Sequence, residues 1–193
     1  MYLQKFLKPL QLATLTALCL TFGSVMAADD GPFFGKHAPG KWIIGAKAVN
    51  IDLNDSNIED STGVGIVLGY EFDKTILGGR GKSSFEIEYI TGDEENFSFG
   101  GVNGTYEADI INAFFNYRSA GQVYFKLKGG LSFVDIDSQI DGQLFDDFED
   151  VSLAIGGGIG LRVSDAGRIE LEYTLDSADA NVGQLSLNGI LSF

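Results

Sequence analysis

From residue 41 to residue 193 the chain keeps repeating one pattern, in which alternate residues are apolar for about ten positions and a turn cluster follows. Eight such segments can be counted, at 41–52, 62–73, 82–92, 105–118, 121–135, 150–164, 167–176 and 183–193. A period of two puts the two residue sets on opposite faces of a β-strand. In the last segment Leu185, Leu187, Gly189, Leu191 and Phe193 share one face, and Gln184, Ser186, Asn188 and Ser192 take the other. In the seventh, Ile169, Leu171, Tyr173 and Leu175 oppose Arg168, Glu170, Glu172 and Thr174. An even number of antiparallel strands with both termini at one end is what an up-and-down barrel requires.

The polarity of the two faces decides the solvent. The apolar face is bulky and nearly free of polar atoms, whereas the other mixes glycine with charge. A lipid-facing band over a polar lumen fits that division, and ring closure pairs every backbone group, as hydrocarbon demands. The fold expected is therefore all-β, an eight-stranded antiparallel up-and-down transmembrane β-barrel over residues 41–193. The same parity points Lys47, Lys126, Lys128, Arg162 and Arg168 inward, together with Glu71, Glu86, Glu88, Glu170 and Glu172. Isolated charges in so narrow a space would cost several kcal/mol, so this balanced set is expected to form lumen ion pairs.

The connections divide by length and charge. Residues 117–121 and 164–167 are tight turns, and basic Lys74, Arg80, Lys82 and Arg118 lie at that end. The links 52–62, 92–105, 135–150 and 176–183 lie at the other end and read as loops. They hold sixteen Asp and Glu and no Lys or Arg. Barrels of the outer membrane place short turns in the periplasm and long loops outside. Trp42, Phe72, Phe85, Tyr117, Phe125 and Phe193 fall on the apolar parity near the short-turn end, where aromatics anchor a barrel at the membrane interface.

Residues 1–27 read as a secretory signal peptide. Lys5 and Lys8 precede an apolar stretch from Leu10 to Val25, and Val25 and Ala27 supply small residues before a cleavage site near Ala27. Residues 28–40 follow as a periplasmic lead-in. The chain carries a formal charge of −14, which argues against a nucleic-acid partner. A single cysteine, Cys19, excludes an internal disulfide and a multi-cysteine metal site.

Three stretches carry the likeness to a known family. They are the opening Trp42-Ile43-Ile44-Gly45-Ala46, the central Asn112-Ala113-Phe114-Phe115-Asn116-Tyr117 followed by Tyr124-Phe125-Lys126-Leu127-Lys128-Gly129-Gly130-Leu131, and a last strand ending in Phe193. On these residues the chain resembles the OmpA-like outer-membrane β-barrels, the small eight-stranded members without a peptidoglycan-binding domain. The resemblance implies a Gram-negative outer membrane with its lipid and lipopolysaccharide as surroundings. It also implies recognition of the C-terminal strand by the barrel-assembly machinery, and no cofactor. It does not imply one activity, since members act as structural proteins, adhesins or weak channels, and it leaves the external partner unnamed.

Catalytic patterns are lacking. The one histidine, His37, precedes the first strand and cannot activate a serine at the opposite rim. Leu77-Gly78-Gly79-Arg80-Gly81-Lys82-Ser83 resembles a phosphate loop, but a strand pattern follows where that motif needs a helix. Gly156-Gly157-Gly158-Ile159-Gly160 lies within a strand pattern and reads as room for lumen side chains. Asp137-Ser138-Gln139-Ile140-Asp141-Gly142 approaches a calcium loop, yet its closing position is Phe148. Asp135, Asp137, Asp141, Asp146 and Asp147 are the candidate Ca²⁺ or Mg²⁺ ligands. The function expected is that of a non-enzymatic outer-membrane surface protein, supporting envelope integrity or surface contact through its acidic loops. The alternative is a narrow channel for ions or small solutes.

Overall fold

The computed structural model describes residues 40–52, 60–73, 80–99, 102–140, 143–177 and 182–193. The expected signal peptide, its cleavage site and most of the lead-in lie outside them. The strands are β1 (Gly40–Asp52), β2 (Ser61–Phe72), β3 (Lys82–Gly92), β4 (Glu95–Phe99), β5 (Val102–Arg118), β6 (Val123–Ile140), β7 (Gln143–Arg162), β8 (Gly167–Asp176) and β9 (Gly183–Ser192). Every neighbouring pair is antiparallel, from β1–β2 round to β8–β9, with β3 paired to β5. Pairing of β1 with β9 closes the ring. The closure continues to the last residue, where Trp42 and Phe193 exchange two backbone hydrogen bonds of 3.0 Å.

Nine strands make an eight-stranded wall because β4 continues β3. Thr91 lies opposite Asp109 and Glu95 opposite Tyr106, so the β3–β4 side carries one residue more than β5. That surplus at Asp93-Glu94 is a bulge. At the end where β1 begins and β9 ends, the turn end, the connections 119–122 and 163–166 are short. Ser119 N–H donates to Phe125 C=O and Val163 N–H to Gly167 C=O. Gly121 sits at φ +119°, a backbone conformation that glycine adopts without steric cost.

Alternation governs the wall. Along β8 and β9, Ile169, Leu171, Tyr173, Leu175, Leu185, Leu187 and Leu191 are exposed, while Arg168, Glu170, Glu172, Thr174, Gln184, Ser186 and Asn188 are buried. The exposed apolar belt continues through Val64, Ile66, Leu68, Leu127, Leu131, Leu153, Ile155 and Ile159. The inside is thus polar and the outside apolar, the order of a transmembrane barrel.

At the opposite, far end the strands run past their expected limits. Residues 135–150 are not a loop: β6 pairs with β7 as far as Ile140 opposite Gln143, with a register irregularity at Ser138/Gln139. Residues 95–99 likewise pair with 102–106. The physical reason is that alternation persists there with inverted polarity. Tyr106, Ala108, Ile110 and Val134 turn inward and are buried, and Glu107, Asp109, Asp135 and Asp137 take the alternate, outer positions of β5 and β6. Inside the far end, Val49, Ile51, Ile90, Tyr106, Ile110, Val134 and Val182 form an apolar cluster, with Phe97 and Ile136 packed against it.

Candidate functional site: the lumen and the far end

The charged network of the lumen is built from inward residues on six strands, β1, β2, β3, β5, β6 and β8. Nearest the turn end, Glu71 on β2 accepts from Arg168 on β8 (2.5 Å) and from Lys82 on β3 (2.8 Å). Next, Arg118 at the end of β5 spans Glu86 on β3 and Glu170 on β8, both at 2.6 Å. Ser84 accepts from Arg118 and donates to Glu86, and Tyr124 donates its hydroxyl to Glu170 at 2.5 Å. Lys126 on β6 reaches Glu86 (3.1 Å), Glu170 (3.0 Å) and Glu172 (2.6 Å). Further up, Lys128 meets Glu172 (2.9 Å) and Glu88 (3.4 Å), and Lys47 on β1 meets Glu88 at 2.6 Å. The result is one continuous network that crosses the lumen repeatedly.

Glycine makes this network fit. The inward track Gly156, Gly158 and Gly160 on β7 faces Lys128, Glu172 and Tyr124 respectively. A β-carbon at Gly160 would overlap the Tyr124 ring, and one at Gly158 or Gly156 would lie 3.0 Å from Glu172 Cγ or Lys128 Cε. The glycine run is a groove for the side chains of the network.

Of the ten charges expected in the lumen, Lys47, Glu71, Glu86, Glu88, Lys126, Lys128, Arg168, Glu170 and Glu172 join this network. Arg162 does not. Its register partner is Arg168, a like charge that already holds Glu71. Arg162 instead stacks on the Tyr124 ring at 4.4 Å and donates to the Gly121 and Ser119 carbonyls. Arg118 and Lys82, expected at the basic turn rim, are lumen residues. Parity carried the missing signal: Arg118 follows Asn112, Phe114 and Asn116 at steps of two, and all four are fully or almost fully buried.

The aromatics at the turn end divide. Trp42, Phe125 and Phe193 are 60%, 70% and 73% exposed on the outer face. Phe85 and Tyr117 are half-buried there. Phe72 differs from expectation, for it is buried and packs edge-on to Tyr70 at 5.5 Å between ring centroids. Tyr70 in turn packs edge-on to Trp42 at 5.4 Å. Phe72 thus keeps the outer parity of Val64, Ile66 and Leu68 but is covered there.

Neutral polar side chains stand beside the ionic network, with Asn112 opposite Glu88, Ser186 opposite Glu172 and Asn188 opposite Lys47; the apolar cluster lies at the far end. Asn112 Nδ2 donates to its neighbour Glu88 and to Gln184 across the lumen, both at 3.4 Å. At the far end the register sets acids opposite acids. Glu107 faces Asp137 and Asp109 faces Asp135 between β5 and β6, while Asp137 faces Asp147 and Asp135 faces Glu149 between β6 and β7. Asp146 lies opposite Ser138, and Asp141 is outside the described residues. Among the described residues no group of three or more potential ligand side chains converges on a metal position. Lys82 and Ser83 of the phosphate-loop lookalike open strand β3.

Residues 15–189 match the family model for the outer membrane protein beta-barrel domain. No curated protein sequence is significantly similar to the chain. Among solved structures, the attachment invasion locus protein Ail of Yersinia pestis is similar in fold, with a TM-score of 0.54 at 16% identity, over 80% of this chain and 97% of that one. Neisserial surface protein A is similar with a TM-score of 0.50 at 12% identity, over the same shares of 80% and 97%. At these identities the likeness is one of fold.

Proposed function

The chain belongs to the outer membrane protein beta-barrel family, and from that premise we propose that it is a non-enzymatic, non-conducting surface protein of the bacterial outer membrane. Its lumen gives rigidity, and its acidic far end makes the contacts. The observation that carries this reading is the filled lumen: Glu86, Glu88, Arg118, Lys126, Glu170 and Glu172 are no more than 1% exposed. Breaking such pairs leaves uncompensated charge in a low-dielectric space, so the network resists opening. Ser84 is held between Arg118 and Glu86, and the one histidine, His37, is not among the described residues.

Short turns in the periplasm and longer projections outside are the rule for such barrels. On that rule the β4–β7 extension faces outward and carries the acidic rows. A similarly folded protein, Ail, is named for attachment and invasion. A surface-contact role for this chain draws its support from the projecting extension and its charge.

The test is single-channel recording of the refolded protein in planar bilayers, with folding verified by a gel mobility that shifts on boiling. Silent bilayers are expected. Steady unitary currents would overturn the non-conducting reading in favour of the narrow channel. That second reading draws on one observation, the neutral polar side chains Asn112, Gln184, Ser186 and Asn188 that line the lumen beside the ion pairs.

A further inference from the structure

The lumen charges fall into a balanced set and a surplus. Lys47, Arg118, Lys126 and Lys128 meet Glu86, Glu88, Glu170 and Glu172, four charges of each sign. Four further cations stand where their strands begin or end at the turn end: Lys41 on β1, Lys82 on β3, Arg162 on β7 and Arg168 on β8. Lys41 keeps the inward parity of buried Ile43 and Lys47. Arg162 lies between exposed Leu161 and Val163, with its guanidinium over the inward Tyr124 ring. One buried carboxylate, Glu71, serves this group, and it binds Lys82 and Arg168. Among the described residues Lys41 and Arg162 have no ion pair. Asp73 and Asp165, exposed at the same end, bind none of the four. Register adds to the imbalance. Arg162 faces Arg168 and Lys82 faces Arg118, and like charges directly opposite destabilise a sheet.

Arg168 shows what the surplus lacks. It is 6% exposed, and its Nη1 donates to Glu71 at 2.5 Å. Its Nε stands 3.5 Å from Glu170 Oε1, an oxygen that Arg118 and Tyr124 already hold at 2.6 and 2.5 Å. Its Nη2 is buried without an acceptor, and its neighbour on β9 is Ile190, whose side chain offers none. A buried guanidinium with an unfilled donor is costly, and a second guanidinium opposite it raises the cost. The missing group must accept hydrogen bonds, carry negative charge and be small. Guanidinium forks take oxyanions by two parallel bonds, a geometry that chloride cannot use. A phosphate group presents several oxygens on a tetrahedron and can serve two forks at once, which suits two arginines on neighbouring strands better than a planar carboxylate does.

We propose that the turn-end mouth of the lumen is a phosphate-binding site, with Arg168 and Arg162 as the forked donors and Lys41 and Lys82 as flanking charges. A cleft of one charge sign between low-dielectric walls concentrates ions of the other sign. By the rule of short turns this mouth opens to the periplasm. The phosphate is therefore either the headgroup of an inner-leaflet phospholipid or the free ion in solution, and both present the same oxyanion to the same donors. The site is separate from the surface role, which lies at the other end of the barrel. A conducting wild-type barrel would overturn that role and leave the site in place.

Solid-state NMR of the barrel with nitrogen-15 arginine tests this by dephasing from phosphorus. The chain has four arginines, Arg80, Arg118, Arg162 and Arg168, so single variants assign the signals. In vesicles of a neutral galactolipid, which holds no phosphorus, added inorganic phosphate is expected to dephase Arg168 and Arg162 saturably. Arg118, whose donors are filled by Glu86, Glu170 and Ser84, should stay undephased. No dephasing of Arg168 and Arg162 would overturn the proposal, and so would equal dephasing of Arg118. The half-saturating phosphate concentration should rise roughly tenfold in Arg162→Gln and in Lys41→Gln, the worth of one charge-assisted bond. An unchanged titration in both variants, with barrels that still shift on boiling, would also overturn it. Phosphatidylglycerol vesicles without added phosphate then name the source. Dephasing of Arg168 there assigns the site to the lipid headgroup, and its absence assigns the site to the free ion.

Discussion

The membrane-embedded staves and the far-end extension use the same strands in opposite ways. Along β5, Asn112, Asn116 and Arg118 point into the lumen, and Phe115 points out. Past Ile111 the same strand puts Ala108 and Tyr106 inside and the acidic residues on the outer parity. Along β5 the backbone alternation does not break; only the solvent outside changes. Where hydrocarbon is outside, the outer face must be apolar and polarity is confined to the lumen, where each charge needs an opposite one. Where water is outside, the ordinary rule returns and the interior becomes apolar. One ring of residues, near Ile110 and Val134, marks the change.

If that contrast is right, the two regions should respond differently to substitution. The largest effect is expected at Arg118. Arg118→Met leaves Glu86 and Glu170 with Lys126 as their shared cation and should lower stability by about 3–5 kcal/mol, read by urea unfolding in lipid vesicles. Arg162→Met, which removes only a ring contact and turn bonds, should cost nearer ~1 kcal/mol. A similar loss in both would sink the network assignment. In the far-end interior, Ile110→Ala should cost about 2–4 kcal/mol, as a cavity in a water-type core does. A loss near zero there would mean that the apolar cluster is not packed as a core.

A smaller effect tests the glycine groove. Gly160→Ala should cost about 1–3 kcal/mol by crowding the Tyr124 ring. Most of that loss should vanish in a Tyr124→Ala background, and a double-mutant cycle measures the coupling. Additive losses would show that the groove is not made for Tyr124. The smallest effect has the opposite sign. Asp135→Asn with Asp137→Asn relieves acids that face acids across β5, β6 and β7, and should stabilise by a few tenths of a kcal/mol at low salt. The gain should fade at high ionic strength or in millimolar Mg²⁺, which screens the same repulsion. A gain that is indifferent to salt would point to something other than charge.

The eight segments and their facing could be read from alternation alone, because a strand in hydrocarbon tolerates so few exceptions. Lys126, Lys128, Glu170 and Glu172 could be placed inside for the same reason. Arg118 could not be placed by composition, because a cation beside a turn suits a solvated rim equally well. Parity with Asn116 was the better guide. Arg162 had the right face, but its failure to join the network follows from a cross-strand register with Arg168 that one sequence does not display. The far-end hairpin was hidden by its charge. A dense run of aspartates such as that between 135 and 150 looks like a loop when polarity is expected to keep its sign. With the sign reversed, Val134-Asp135-Ile136-Asp137 is a strand with its apolar residues inside.

The reciprocal bonds between Trp42 and Phe193 have a consequence for how the molecule comes into being. The first strand finds one of its two neighbours only when residues 183–193 have been made. A nascent barrel is therefore an open sheet with two unsatisfied edges, and no N-terminal fragment can complete it. Closure is the last event and depends on contacts between residues far apart in sequence, which is the slow kind of folding. Until then the open edges of the sheet are exposed to pairing with those of other chains.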